Sequence, residues 1–344
     1  MDNMMMELNE KENELNLTQL LAKSLGGFLK QPELELLTKH AKISSFVSGE
    51  TIFRQGKRTG GVYVILEGTV LVTAQIMNQG VTNMETLQPG HFLTVTCFIE
   101  NAPCPTSFIA SSTVQCLLIP LSYFELLSSE FPETRYKILQ VIAKQSCKRL
   151  KTIHDTITSF ISDSDMTSLS FFERIIYSLN QPKKIIFNES IIDKSQIEDL
   201  FLFKSFTKNE IEILLKHFVI LDAPKNCKLI NARDKTALCY LVIYGAIQSC
   251  IMKDDKLAKL SVIGPGTLLA SIGCIENKEL FNFTYITCEQ TILCKLSESA
   301  LQLIQENHPQ LWYKLFDLIF GSLAALKKSI YKLDIRLNIE NYNR

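Results

Sequence analysis

The chain lacks an excess of charge of either sign: Lys plus Arg and Asp plus Glu both total 36 among 344 residues. Zero formal net charge leaves no whole-chain field to draw in nucleic acid or an anionic membrane. No uncharged apolar stretch reaches the roughly 20 residues of a membrane span. The N-terminal MDNMMMELNEKENELN is acidic and polar, without a basic segment leading into an apolar run. No secretory leader is therefore expected, and a cytoplasmic location is. The ten cysteines include no C-x-x-C pair and the five histidines are scattered, so no metal cluster is expected. Several cysteines lie in apolar runs, such as Gln115-Cys116-Leu117-Leu118, and read as small hydrophobes in a reducing compartment. G-x-S-x-G, H-E-x-x-H, P-loop and G-x-G-x-x-G motifs are all missing. No residue is marked as catalytic, and the expectation is a protein that is not an enzyme.

What is present is a repeat. Hydrophobic residues make up 46% and charged residues 21%, a globular composition, and the length suits two domains. VYVILEGTV at 62–70 returns as CYLVIYGAI at 239–247, with Tyr63 and Tyr240, and Gly68 and Gly245, each 177 residues apart. Leu-Gln-Pro-Gly at 87–90 returns as Ile-Gly-Pro-Gly at 263–266, and Cys-Phe-Ile-Glu-Asn at 97–101 as Cys-Ile-Glu-Asn at 274–277. IPLSYFELLSSEFP at 119–132 parallels LSESALQLIQENHP at 296–309. Landmarks in one order at a nearly constant offset indicate a duplicated domain.

Each copy opens with a short helix, 32–39 and 207–217, and continues as β-branched segments separated by Gly, Pro, Asn and Asp. A hairpin is predicted from Val62–Leu66 through Glu67-Gly68 to Thr69–Thr73. Long helices are predicted over about 133–161 and 309–337, with Pro132 and Pro309 where a helix start tolerates proline. Many short strands with regular turns suggest a small barrel or jelly roll.

Phe46-x-x-Gly49-Glu50-x-Ile52-x-x-Gln55-Gly56, then Val62-Tyr63-x-Ile65-x-x-Gly68-x-Val70 and Gly90-x-Phe92, resemble the motifs of the cyclic nucleotide-binding domain family. The exit Ile119, Phe124, Leu127 and Pro132 also fits, so the resemblance spans about 28–160. Over 197–337 it is fainter: Asn226-Cys227 replaces Gly49-Glu50. The fold implied is α+β, with two cyclic-nucleotide-binding-type β-barrels (double-stranded β-helix, or jelly roll). Each would have an N-terminal short helix and a long C-terminal helix. The expected domains are a flexible segment at 1–17, barrel one at 18–161, a helical linker at 162–196 and a degenerate barrel two at 197–344. Tandem domains of this kind are similar to the regulatory subunits of cyclic-nucleotide-dependent kinases.

The family's phosphate-binding cassette uses backbone N–H groups and an Arg for the phosphate, and a Glu for the ribose hydroxyl. Here the segment 90–107 places Leu93 where Gly is expected, Thr94 in place of Glu, and Cys104 after Pro103 in place of Arg. A lost charge-assisted hydrogen bond costs roughly 1.5–3 kcal/mol, or one to two decades of affinity. The resemblance still points to Gly90, Phe92, Thr94, Thr96, Cys104, Thr106 and Ser107 as ligand-binding candidates, with cAMP or cGMP as the ligand. In the second copy Ala270 takes the Glu position and no Arg occurs over 266–296, so that pocket is expected to be ligand-free.

Leu139, Ala143, Ser146, Leu150, Ile153, Ile157 and Phe160 follow a heptad spacing. The stripe fits either a homodimer through 139–160, as in regulators similar to the catabolite activator, or packing on its own barrel. In the linker, Thr167–Leu179 is predicted helical with Phe171, Ile175, Ile176 and Leu179 on one side. Residues 195–218 give helix, break, helix. Yet Glu210 and Glu212 would repel phosphates, so a nucleic-acid partner is not favoured, and the segment fits the opening helix of copy two. The functional expectation is a regulatory or sensor protein. The alternatives are a ligand-free tandem scaffold or protein-interaction module with an unknown protein partner and, behind it, a DNA-binding regulator. No membrane partner is expected.

Overall fold

The computed structural model describes residues 17–22, 29–76, 80–163, 168–185, 194–276 and 281–342. Most of the segment expected to be flexible, 1–16, lies outside them, as do 164–167 of the expected linker and Asn277 of the second repeat landmark. The chain divides into two compact units, 1–145 and 146–344.

The first unit opens with α1 (residues 17–22) and α2 (Gln31–His40). Glu33 in the first turn of α2 accepts the Lys30 N–H at 2.6 Å, and Leu34 and Leu37 supply the buried face. Eight strands follow: β1 (Lys42–Phe46), β2 (Thr51–Phe53), β3 (Gly61–Glu67), β4 (Val70–Ile76), β5 (Gly80–Leu87), β6 (Phe92–Leu93), β7 (Ser107–Ala110) and β8 (Val114–Pro120). The short helix α3 (Val95–Ile99) interrupts them, and α4 (Leu121–Glu130) and α5 (Pro132–Asp163) come after. The strands form two antiparallel four-stranded sheets, ordered β1-β8-β3-β6 and β2-β7-β4-β5. This is the expected jelly roll, and its interior is apolar: Ile52, Ile65, Val70, Val72, Leu87 and Phe108 meet there. The β3–β4 hairpin turns at Gly68, whose φ is +83°.

In the second unit, α6 (Phe171–Leu179), β9 (Lys183–Ile185), α7 (Lys194–Glu198) and α8 (Lys208–His217) precede the barrel. The barrel strands are β10 (Val219–Ala223), β11 (Lys228–Ile230), β12 (Cys239–Tyr244), β13 (Ile247–Lys253), β14 (Lys256–Ile263), β15 (Leu268–Ala270), β16 (Phe283–Thr287) and β17 (Thr291–Leu296). Helices α9 (Glu298–Asn307) and α10 (Pro309–Tyr342) close it. The sheets run β15-β12-β17-β10 and β11-β16-β13-β14, the same order as in the first unit, with β9 added beyond β10. An ion pair recurs as well: Lys137–Glu33 at 3.1 Å in unit one and Lys314–Glu210 at 2.8 Å in unit two. In each unit it ties the short opening helix to the long closing helix. Helix α8 leads directly into β10, as the opening-helix reading of 207–217 requires.

The expected linker is not an isolated connector. Strand β9 pairs with β10, and Arg174 meets Asp255 at 2.8 Å. Phe172, Ile175, Ile176 and Leu179 of α6 are exposed. The heptad stripe of α5 is buried within the single chain from Leu139 to Ile157, and Phe160 is half-buried.

Candidate functional site

The segment 90–107 is built on the edge of the β3 sheet. Gly90 donates its N–H to Ile65 O at 2.7 Å, and Ile65 N–H donates to His91 O at 3.0 Å. Phe92 and Leu93 then pair with Val64 and Tyr63. Thr94 turns the chain in the left-handed region, φ +61°, which is costly for a residue with a Cβ. Its buried hydroxyl lies 3.0 Å from Gly61 O and 2.6 Å from Leu93 O, and donates within the backbone of the barrel. Helix α3 carries Thr96 and Cys97 inward, and the chain returns through Asn101 to Cys104.

The returning strand is clamped to the loop before β3. Cys104 N–H donates to Lys57 O and Gly56 N–H donates to Cys104 O, both at 2.8 Å. Ser107 Oγ accepts the Gln55 N–H at 2.9 Å. Arg58 Nη1 donates to Asn101 O at 2.9 Å. Arg54, Lys57 and Arg58 thus form an exposed basic loop beside the segment.

Of the seven candidate residues, Phe92, Thr94, Thr96, Cys104 and Thr106 are buried. Gly90 and Ser107 are half-buried. Leu93, Cys97 and Cys104 are members of the apolar barrel core. Cys97 and Cys104 are joined as a disulfide, with Cα atoms 4.9 Å apart. This corrects the reading of the cysteines as small hydrophobes in a reducing compartment at these two positions. The spacing of seven carries no motif, and only the return after α3 brings the sulfurs together.

Sequence reasoning missed Gln145. From α5 its Nε2 donates to Gly90 O at 2.8 Å, and its Oε1 accepts the Phe92 N–H at 2.7 Å. One side-chain amide therefore grips the entry of the cassette at two backbone atoms. In the second unit Ser322 of α10 accepts the Ala270 N–H at 3.0 Å. Ser322 lies 177 residues after Gln145, the repeat offset of Tyr63 and Tyr240, but Ala270 stands at the position of Thr94, so each long helix holds a different backbone atom of its turn. No motif marks either residue, because the contact is to backbone and either an amide or a hydroxyl serves.

A second missed residue is His154, also on α5 and buried at 1% exposure within the second unit. Its Nε2 accepts the Asn282 N–H at 2.9 Å, its Nδ1 faces Asp155 Oδ1 at 3.1 Å, and Phe281 and Phe283 pack on the ring. The network fixes the tautomer with the proton on Nδ1. Burial lowers its pKa, with Lys151 adding to the effect and Asp155 opposing it. A His pKa lower in the folded state than the unfolded value of about 6.5 stabilises above that pH and loses the contribution as pH falls. Urea unfolding is therefore expected to weaken more steeply between about pH 7.5 and 5.5 in the native protein than in His154→Gln. Parallel pH profiles would remove His154 from the account.

Residues 43–130 match the family model described as "Cyclic nucleotide-binding domain". No curated protein matches the chain in sequence. Among solved structures, a cyclic nucleotide-binding domain from Methylobacillus flagellatus is 16% identical, over 41% of this chain and 82% of that one, with a TM-score of 0.39. The regulatory domain of Toxoplasma gondii PKA with cAMP is 10% identical over 89% of this chain and 95% of that one, TM-score 0.31. The Thermus thermophilus catabolite activator protein is 17% identical over 45% and 68%, TM-score 0.35. Among the described residues no helix is long and apolar enough to cross a membrane.

Proposed function

We propose that this chain is a non-catalytic regulatory protein in which the state of the first cassette is passed to helix α5. The observation that carries this is the Gln145 clamp on Gly90 and Phe92. A cassette that shifts must either drag this helix or break two hydrogen bonds. The reading keeps barrels at 18–161 and 197–344, joined by 162–196. A homodimer through 139–160 would have to use the exposed polar side chains of α5, such as Lys148, Thr152 and Thr156, since the apolar stripe is covered. The test is hydrogen exchange on Thr94→Glu, which forces a charge into the buried cassette. Exchange at 141–145 of α5 is expected to rise, and the rise is expected to vanish when Gln145 is also replaced by Leu. Unchanged exchange in α5 would sink the reading.

A cassette whose Thr94 hydroxyl is committed to backbone and whose Leu93, Cys97 and Cys104 are core supports a barrel that holds its shape without a nucleotide. The second reading, a cyclic nucleotide (cAMP or cGMP) or related anion bound at the first barrel, is favoured by one observation: Arg58 stands beside the cassette at Asn101. Calorimetric titration with cAMP and cGMP separates them. No heat below about 100 µM ligand is expected for the native protein. Micromolar binding that Arg58→Ala abolishes would establish the second reading instead.

A further inference from the structure

The second unit holds a pair of thiols that no motif announces. Cys239 opens β12 and is buried at 1% exposure; Cys274 ends the short helical turn Ile272–Cys274 and is half-buried. Their Sγ atoms are 3.6 Å apart. Cys274 Sγ also lies 3.7 Å from Ser271 Oγ and 3.4 Å from Leu238 O. A disulfide bond is about 2.05 Å long, so closure needs the sulfurs to approach by about 1.5 Å.

An independent observation comes from the repeat. The landmark Cys97 of the first unit corresponds to Cys274 of the second. Each sits on the short helical turn that follows the edge strand β6 or β15. Cys97 meets Cys104 from downstream, whereas Cys274 meets Cys239 from upstream. The partner differs in sequence, but in both units the same position of the turn faces a second sulfur. Chance placement of buried cysteines gives no reason for that.

We propose that Cys239 and Cys274 are a thiol–disulfide site, oxidised by a low-molecular-weight disulfide, with Cys274 the attacking and Cys239 the resolving cysteine. The roles follow from access and chemistry. Cys274 is half-buried whereas Cys239 is buried, so a reagent arriving from solvent meets Cys274 first. The Cys239 sulfur beside it holds the Cys274 thiol below the ordinary range despite burial, and the Ser271 hydroxyl and nearby backbone add to this. Cys239 is held above it.

In the first step the Cys274 thiolate attacks one sulfur of the small disulfide. The reagent's S–S bond breaks, and the departing thiolate takes the proton that Cys274 gave up. In the second step Cys239 loses its proton to solvent and attacks Cys274 Sγ. The mixed disulfide breaks and the second small thiolate leaves, protonated by solvent. Two protein thiols are oxidised and one small disulfide is reduced to two thiols. The bond would fasten the cassette turn of the second unit to β12. The site does not depend on how the first cassette is read.

The experiment uses the full chain, reduced and then exposed to graded ratios of oxidised to reduced glutathione. Samples are quenched in acid, alkylated and mapped by peptide mass spectrometry. A Cys239–Cys274 linked peptide is expected, reversible with reductant, while buried Cys294 stays a thiol. In Cys239→Ser, glutathione is expected to remain on Cys274. In native reduced protein Cys274 is expected to alkylate at least about ten-fold faster than Cys294. Cys239 and Cys274 recovered as thiols at every ratio would overturn the proposal. So would Cys239→Ser without a glutathione adduct, or Cys274 reacting no faster than Cys294.

Discussion

Gln145→Leu will destabilise the first unit by about 2 kcal/mol. The substitution keeps volume and helix propensity and removes only the two hydrogen bonds to Gly90 and Phe92. A fully buried backbone group that loses its partner costs about 1–3 kcal/mol; here two part-buried ones are affected, each at the low end of that range. Gln145→Glu separates them: the carboxylate still accepts the Phe92 N–H but cannot donate to Gly90 O, so about half the loss is expected. Equilibrium urea unfolding gives the total, and amide exchange at Phe92 gives the local part. A Gln145→Leu protein within about 0.5 kcal/mol of native would mean the clamp is incidental, and the proposed coupling through it would fall with it.

The second large effect is Gly68→Ala. Gly68 has φ +83°, and a Cβ built there would lie 2.2 Å from Thr113 O and 2.9 Å from Val114 Cα. Both neighbours are backbone of the segment entering β8, so neither can swing aside as a side chain would. The left-handed conformation costs about 1 kcal/mol for an L residue, and forcing the strands apart adds about 1–3 kcal/mol. A total of about 2–4 kcal/mol is expected. Gly49→Ala is the control: φ is +86°, yet nothing lies within 4 Å of its Cβ, so only the conformational part, about 1 kcal/mol, applies. If chemical denaturation puts the two variants within about 1 kcal/mol of each other, the steric argument is wrong. Gly245 repeats the arrangement in unit two, with Gln290 O at 2.5 Å.

The hairpin glycine and the Gln145 clamp sit at opposite ends of what could be read from the sequence. Gly68 was visible, because a turn between two alternating apolar runs calls for a residue free to take positive φ. Its repetition at Gly245 and the matching strand order of both units follow from the same local patterns. The long helices were visible from their apolar periodicity and the proline at each start. Gln145 was not, because a polar residue between two apolar stripe positions looks like solvent-facing filler until the cassette backbone is placed against it.

Sequence by itself therefore determined the jelly-roll repeat, the short opening and long closing helices, and the loss of the Glu and Arg positions at Thr94 and Cys104. The repeat and the helices are set by local periodicity and turn chemistry printed along the chain, and the missing Glu and Arg are legible through the resemblance of 90–107 to the family's cassette. Tertiary structure alone decided that Thr94 spends its hydroxyl on the barrel backbone and that Leu93 and Cys104 join the core. It alone brought Cys97 to Cys104 and Cys239 to Cys274. The physical reason is that a hydrogen bond, a buried contact or a sulfur pair depends on which segments the fold lays side by side, and residues such as Cys239 and Cys274 become neighbours only once β12 and the turn after β15 are closed into one wall.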